Sequence, residues 1–196
     1  MKRMPGLSGI FIGVCITAAC SLWPAQPPAP QVHDFGPPPV VNDHAAADFR
    51  LDSVRAPAWL ANDNIHYRLV YQDPTALRNY ADHRWAAPPA ELIAARLQDL
   101  LSVGSADYTG THDAYVLRVN LLEFEQDFST EHDAQVHLEL DVSMRRSNDG
   151  QIIAQRRFVL SQATTPDVRG AISGLAQTAG RAAAAVSDWA RTQAHE

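Results

Sequence analysis

Residues 134–145 read AQVHLELDVSMR. Ala134, Val136, Leu138, Leu140, Val142 and Met144 alternate with Gln135, His137, Glu139, Asp141, Ser143 and Arg145. A period of two, with one apolar and one polar face, marks a strand of an antiparallel sheet covered on one side only. Asn148-Asp149-Gly150 follows as a hairpin turn, because glycine takes a positive φ without steric cost. Ile152 to Gln162 returns as the next strand. Upstream, Tyr115 to Phe128 is a long strand that changes phase. Leu117, Val119 and Leu121 face one way, then Leu122, Phe124 and Phe128 the other, and a bulge near Leu121-Leu122 accounts for the change.

Helical periodicity brackets these strands. Ala90 to Val103 carries Leu92, Leu97, Leu100 and Leu101 on one face, with Pro88-Pro89 leading in and Gly104 ending it. From Asp167 to about Thr192, Ile172, Leu175, Ala176, Ala179, Ala183, Val186 and Trp189 recur at helical spacing. The alanine-rich stripe predicts close packing on a sheet, with Trp189 as an anchor at the end. Nearer the N-terminus, FRLDSVRA from Phe49 and the stretch Ile65 to Tyr71 read as strands. Asp73-Pro74 turns the chain, and Thr75 to Asp82 reads as a short helix. The order is β-β-α-β-β-β-α, an α+β fold with two main helices packed on an antiparallel β-sheet.

The expected domain spans 48–196. Residues 20–47 read as a tether, since Pro24, Pro27, Pro28, Pro30, Pro37, Pro38 and Pro39 favour extended chain without a core. Residues 1–19 read as a signal peptide: Lys2 and Arg3, an uncharged run from Leu7 to Ala19, then Ala18-Ala19 before Cys20. Thirteen uncharged residues are too few for a spanning helix, which needs about 20. The segment resembles a bacterial lipoprotein signal, which implies cleavage between Ala19 and Cys20 and acylation of Cys20. Thr17 departs from the leucine usual three places before the cysteine. The resemblance also implies the periplasmic face of the outer membrane, since Ser21 follows the cysteine rather than the aspartate typical of inner-membrane retention.

Composition excludes several chemistries. The chain of 196 residues is 46% hydrophobic with a formal charge of −6. Removing Lys2 and Arg3 with the signal makes the side chains more acidic still, which leaves no electrostatic footprint for nucleic acid. Lys2 is the only lysine, so the mature chain has no phosphate-loop lysine of the usual kind, no Schiff-base lysine and no lysine base. Cys15 and Cys20 are the only cysteines. With one cleaved off and the other acylated, neither a disulfide nor a cysteine zinc site remains. His132 and His137 lie near Glu131 and Asp133, but no metal-binding histidine spacing occurs, and no metal or cofactor is expected. Glu123 with Glu125, and Glu139 with Asp141, read as solvated acids on a wet strand face.

The pattern resembles the ABC-type transport auxiliary lipoproteins, whose members include the lipoprotein of the paraquat-inducible system. Tyr67-Arg68-Leu69, Tyr80, the run Arg84-Trp85-Ala86-Ala87-Pro88-Pro89-Ala90-Glu91-Leu92 and Tyr115-Val116-Leu117 carry the resemblance. So do Leu122 to Phe128, Arg157-Phe158 and the closing helix with Trp189. It covers roughly Leu51 to Ala190, and the tryptophan–double-proline–leucine segment is its most specific part. It implies a non-enzymatic outer-membrane lipoprotein that docks on the periplasmic mammalian-cell-entry-type protein of an ABC transporter. The cargo would be phospholipids or other hydrophobic molecules, and self-association is a further implication. The alternative is a solitary periplasm-facing lipoprotein that binds a hydrophobic ligand. Trp85 reads as core or as an exposed anchor for a partner. The face carrying Phe124 and Phe128 reads as a candidate contact for a partner or an acyl chain.

Overall fold

The computed structural model describes residues 28–38, 49–102 and 115–194. Its centre is the run of alternating strands. Strand β5 (Tyr115–Phe128) pairs antiparallel with β6 (Ala134–Arg146), and β6 pairs antiparallel with β7 (Ile152–Thr164). Gly150 closes the β6–β7 hairpin at φ +70°, as the turn chemistry requires. Val136, Leu138, Leu140 and Met144 are fully buried on one face of β6.

The bulge in β5 falls where the phase changes. Leu121 opposes Leu140 and Glu123 opposes Glu139, which leaves Leu122 as the extra residue. Its effect is the opposite of the expected one. The inserted residue shifts parity, so the even positions Phe124 and Phe128 continue the core face begun by Leu117, Val119 and Leu121. Both sets of apolar residues point to the same side.

Strand β3 (Asn64–Leu69) pairs parallel with the end of β5, and β2 (Phe49–Arg55) pairs parallel with its beginning. A 3-10 turn at Ala58–Leu60 bridges β2 and β3 and buries Leu60. The expected helix over 75–82 is instead strand β4 (Leu77–Trp85), antiparallel to β3. β4 lies between two strands: Leu77 to Asn79 and Arg84 pair with β3, while on its other edge His83 to Trp85 pair with another strand.

That other strand corrects the tether boundary. Gln31–His33 forms β1, parallel to β4, inside the stretch assigned to the linker. Extended backbone between prolines is ready to pair at a sheet edge, and only the residues that keep their amides do so. Phe35 then packs edge-on against Trp85 at 5.3 Å and tilted against Phe124 at 5.8 Å. The result is a seven-stranded mixed, mostly antiparallel sheet in the order β1-β4-β3-β5-β6-β7, with β2 beside β5.

Both helices cover one face. Pro89 opens α1 (Pro89–Ser102), where a missing amide costs nothing. Ile93, Leu97, Leu100 and Leu101 are buried; the expected stop at Gly104 lies outside the described residues. Helix α2 (Val168–Ala194) is capped by Asp167, whose Oδ1 accepts from the Gly170 amide at 2.7 Å. Its alanine stripe lies on the sheet as expected, with Ala171, Ala179, Ala182, Ala183 and Ala190 buried. A Cβ on Gly174 would stand 2.5 Å from Thr164 Cγ2, so glycine sets how near the helix lies. Trp189 meets Phe158 edge-on at 5.9 Å.

Candidate docking face

The helices leave the other face of the sheet open. The period of two in β6 places His137, Glu139, Asp141, Ser143 and Arg145 there, opposite partners from β5 and β7. Ion pairs cross the strands. Arg157 on β7 grips Asp141 with two bonds of 2.7 Å and reaches Glu139 at 2.9 Å. Arg118 on β5 donates to Asp52 on β2 at 2.8 and 3.1 Å, and its guanidinium holds the Asp52 carboxyl below the usual range. Arg118, Asn120, Asp141, Ser143, Arg145 and Arg157 line a shallow depression of about 430 Å³.

The far end of this face is drier. Arg68 on β3 donates to both oxygens of Glu125, at 2.9 and 3.1 Å, and to the Pro74 carbonyl at 3.0 Å. Glu125 is only 5% exposed, so it is a buried partner and not the solvated acid expected from its alternation. Asp127 lies two residues on. Its Oδ1 has no hydrogen-bond partner, and its Oδ2 is 3.7 Å from His137 Nε2. Burial, and then the charge of Glu125, push its pKa up to about 6. His137 Nδ1 is in turn 2.9 Å from Ser161 Oγ. Serine, histidine and aspartate in series are the residue types of acyl transfer. Here the histidine–aspartate separation exceeds a hydrogen bond, and Ser161 sits exposed on a strand and not in a concave site.

Trp85, Phe124 and Phe128, the candidate contacts, are 1%, 1% and 8% exposed. They are core: Trp85 and Phe124 pack on one another and around Phe35, and Phe128 lies edge-on to Tyr67 at 5.9 Å. The parity shift at Leu122 is the reason for the two phenylalanines. Ala19 and Cys20 lie outside the described residues. Sequence reasoning missed the Arg68–Glu125 pair, which joins strands 57 residues apart and leaves no local signal. It also passed over Arg96, whose signal was present: the arginine stands inside the apolar stripe of α1, between Ile93 and Leu97. Among the described residues no three His, Cys, Asp or Glu side chains converge as a metal set.

The family of the ABC-type transport auxiliary lipoprotein component matches residues 34–187. The chain belongs to this family. It is an auxiliary lipoprotein of an ABC-type transport system, a membership that implies anchoring to a membrane and a non-catalytic role. Solved structures share the auxiliary lipoprotein's fold. A protein from Xanthomonas campestris is 15% identical, with a TM-score of 0.69 over 86% of this chain and 95% of that one. An uncharacterized protein is 17% identical, with a TM-score of 0.61 over 82% of this chain and 98% of that one. No curated protein matches the chain.

Proposed function

We propose that the protein is an outer-membrane lipoprotein facing the periplasm, cleaved after Ala19 and acylated on Cys20. It docks on the periplasmic mammalian-cell-entry-type component of an ABC transporter that moves phospholipids or other hydrophobic molecules. The observation that carries this reading is the family match over 34–187, behind an N-terminus of lipoprotein type. Its action is positional: the acyl chains hold one end and the polar sheet face meets the partner.

The early start of the fold bounds the geometry. Were residue 48 the first of the domain, the tether could reach ~100 Å from Cys20, at up to ~3.6 Å per residue. With β1 in the sheet from Gln31, the reach falls to ~40 Å. On this reading the first strand of the domain is held within that reach of the membrane that carries the anchor. Cross-strand ion pairs suit a docking face, because they orient a partner more than they bind it tightly.

Mild crosslinking in intact cells, affinity purification and mass spectrometry test the reading. A mammalian-cell-entry-type protein should be recovered, and lost when the folded domain is deleted. Recovery of lipid alone, or of nothing, overturns it. Cys20→Ala should release the protein from the outer-membrane fraction.

A further inference from the structure

On the helix side, away from the docking face, a groove of about 610 Å³ runs between the segment Phe35–Pro37 and the two helices. Phe35 and Pro37 form one wall, and α1 contributes Arg96. Along α2 lie Ala176, Gly180 and Ala184, four residues apart and each half-buried, with Arg181 beside them. Eight residues of helix make a trough ~12 Å long. Its floor on α2 is a single row of small residues, which suits a hydrocarbon chain lying along it. A Cβ added at Gly180 meets nothing within 4 Å, so space stands over the helix there.

The charged groups of the groove are of one sign. No aspartate or glutamate lines it, in a chain whose net charge is −6. Arg96 is 6% exposed. Its Nη2 donates to the carbonyls of Phe35 at 3.0 Å and Gly36 at 2.8 Å, while its Nη1 has no partner. Arg181 donates to Gln162 at 3.0 Å and Thr178 at 3.2 Å, both neutral. Among the described residues neither guanidinium is paired with a carboxylate. A buried cation with an unpartnered nitrogen is short of an anion, since guanidinium binds carboxylate and phosphate by charge-assisted hydrogen bonds.

We propose that this groove binds an anionic amphiphile with one acyl chain, its carboxylate or phosphate held by Arg96 and Arg181 and its chain along Ala176, Gly180 and Ala184. The site is independent of docking on a transporter: crosslinking to a partner can fail while the groove still binds, and the reverse.

The test uses the full acylated protein in nanodiscs of zwitterionic phosphatidylcholine. Photoactivatable palmitate and a photoactivatable lysophosphatidate are the probes, with the matching fatty alcohol as the neutral control, and labelled peptides are mapped by mass spectrometry. Both walls of the groove, around 35–37 and 176–184, should be labelled by an acidic probe at least ~10-fold above the alcohol, the loss of a charge-assisted bond being worth about that factor. Whichever acidic probe labels more strongly identifies the source of the head group. Arg181→Gln should lower labelling about 10-fold. Gly180→Leu should abolish labelling while leaving the melting temperature unchanged or higher, because leucine fills the trough and favours helix. Equal labelling by the alcohol, labelling outside the groove, or wild-type labelling of Gly180→Leu would overturn the proposal.

Discussion

Asp127→Asn should stabilise the protein, and only above mildly acidic pH. Asp127 carries a buried, unpaired oxygen beside Glu125, and its pKa is pushed from 3.8 up to about 6. About two units correspond to an upper bound of ~3 kcal/mol. The side chain is 23% exposed, and the water that reaches it lowers this to ~1–2 kcal/mol. Because the folded pKa lies above the unfolded one, the folded state binds the extra proton between pH 3.8 and about 6. The ionised carboxylate costs its full penalty above that window and nothing below it. Stability contributed by this group therefore falls as pH rises through the window.

The groups that face Asp127 set the detail. Glu125 and Glu123 on β5 raise its pKa, while Arg68 on β3 and His137 on β6 lower it. Thermal denaturation followed by fluorescence of the buried Trp85 and Trp189 provides the assay. At about pH 8 the variant should melt ~2–8 °C higher, and the gap should close by about pH 4. Asp52, Asp141 and Asp167, whose pKa values are lowered by hydrogen bonds, lose stability as pH falls, but equally in both proteins. A variant less stable than the parent at pH 8, or a gap that ignores pH, would refute the reasoning.

Other outcomes follow from the packing. Gly170→Ala should cost ~2–3 kcal/mol in chemical denaturation, because its Cβ would stand 2.1 Å from the Thr165 carbonyl oxygen, whereas Gly180→Ala should be neutral or stabilising. Phe35→Ala should cost ~1–3 kcal/mol and speed hydrogen exchange in β1 while leaving β5 to β7 protected, since Phe35 ties the first strand to Trp85 and Phe124. Glu125→Ala should cost ~3 kcal/mol by leaving Arg68 without its buried partner, and Glu125→Gln, which keeps an acceptor, should cost less.

The strands and helices that rest on local pattern were legible. The alternation over 134–145, the Asn148-Asp149-Gly150 turn and the alanine stripe of α2 each carry their own evidence within one element. What escaped depends on partners distant in sequence. β4 is a strand because β3 pairs with one of its edges and β1 with the other, and β1 lies far from it in sequence. The bulge was visible, but whether it reverses or restores the core face depends on β6 holding Leu140 and Glu139 opposite Leu121 and Glu123. So the aromatics that looked available for a partner became the interior.

The misread tether has the largest functional consequence. Prolines on either side made residues 31–37 look like spacer, yet spacer and edge strand share the same extended backbone, and only a neighbour decides between them. Here the neighbours are β4, the Trp85–Phe124 cage and the Arg96 guanidinium. Arg96 spends one nitrogen on the Phe35 and Gly36 carbonyls and leaves the other unpartnered, so the group that fixes the tether to the fold also lines the groove. Binding of an anion there and attachment of the first strand draw on the same side chain. Ligand and anchor are thereby linked: an acidic occupant of the groove should slow exchange of the β1 amides, and loosening β1 through Phe35→Ala should weaken the occupant. If either effect is seen without its reciprocal, Arg96 does not couple them, and strap and groove are neighbours only.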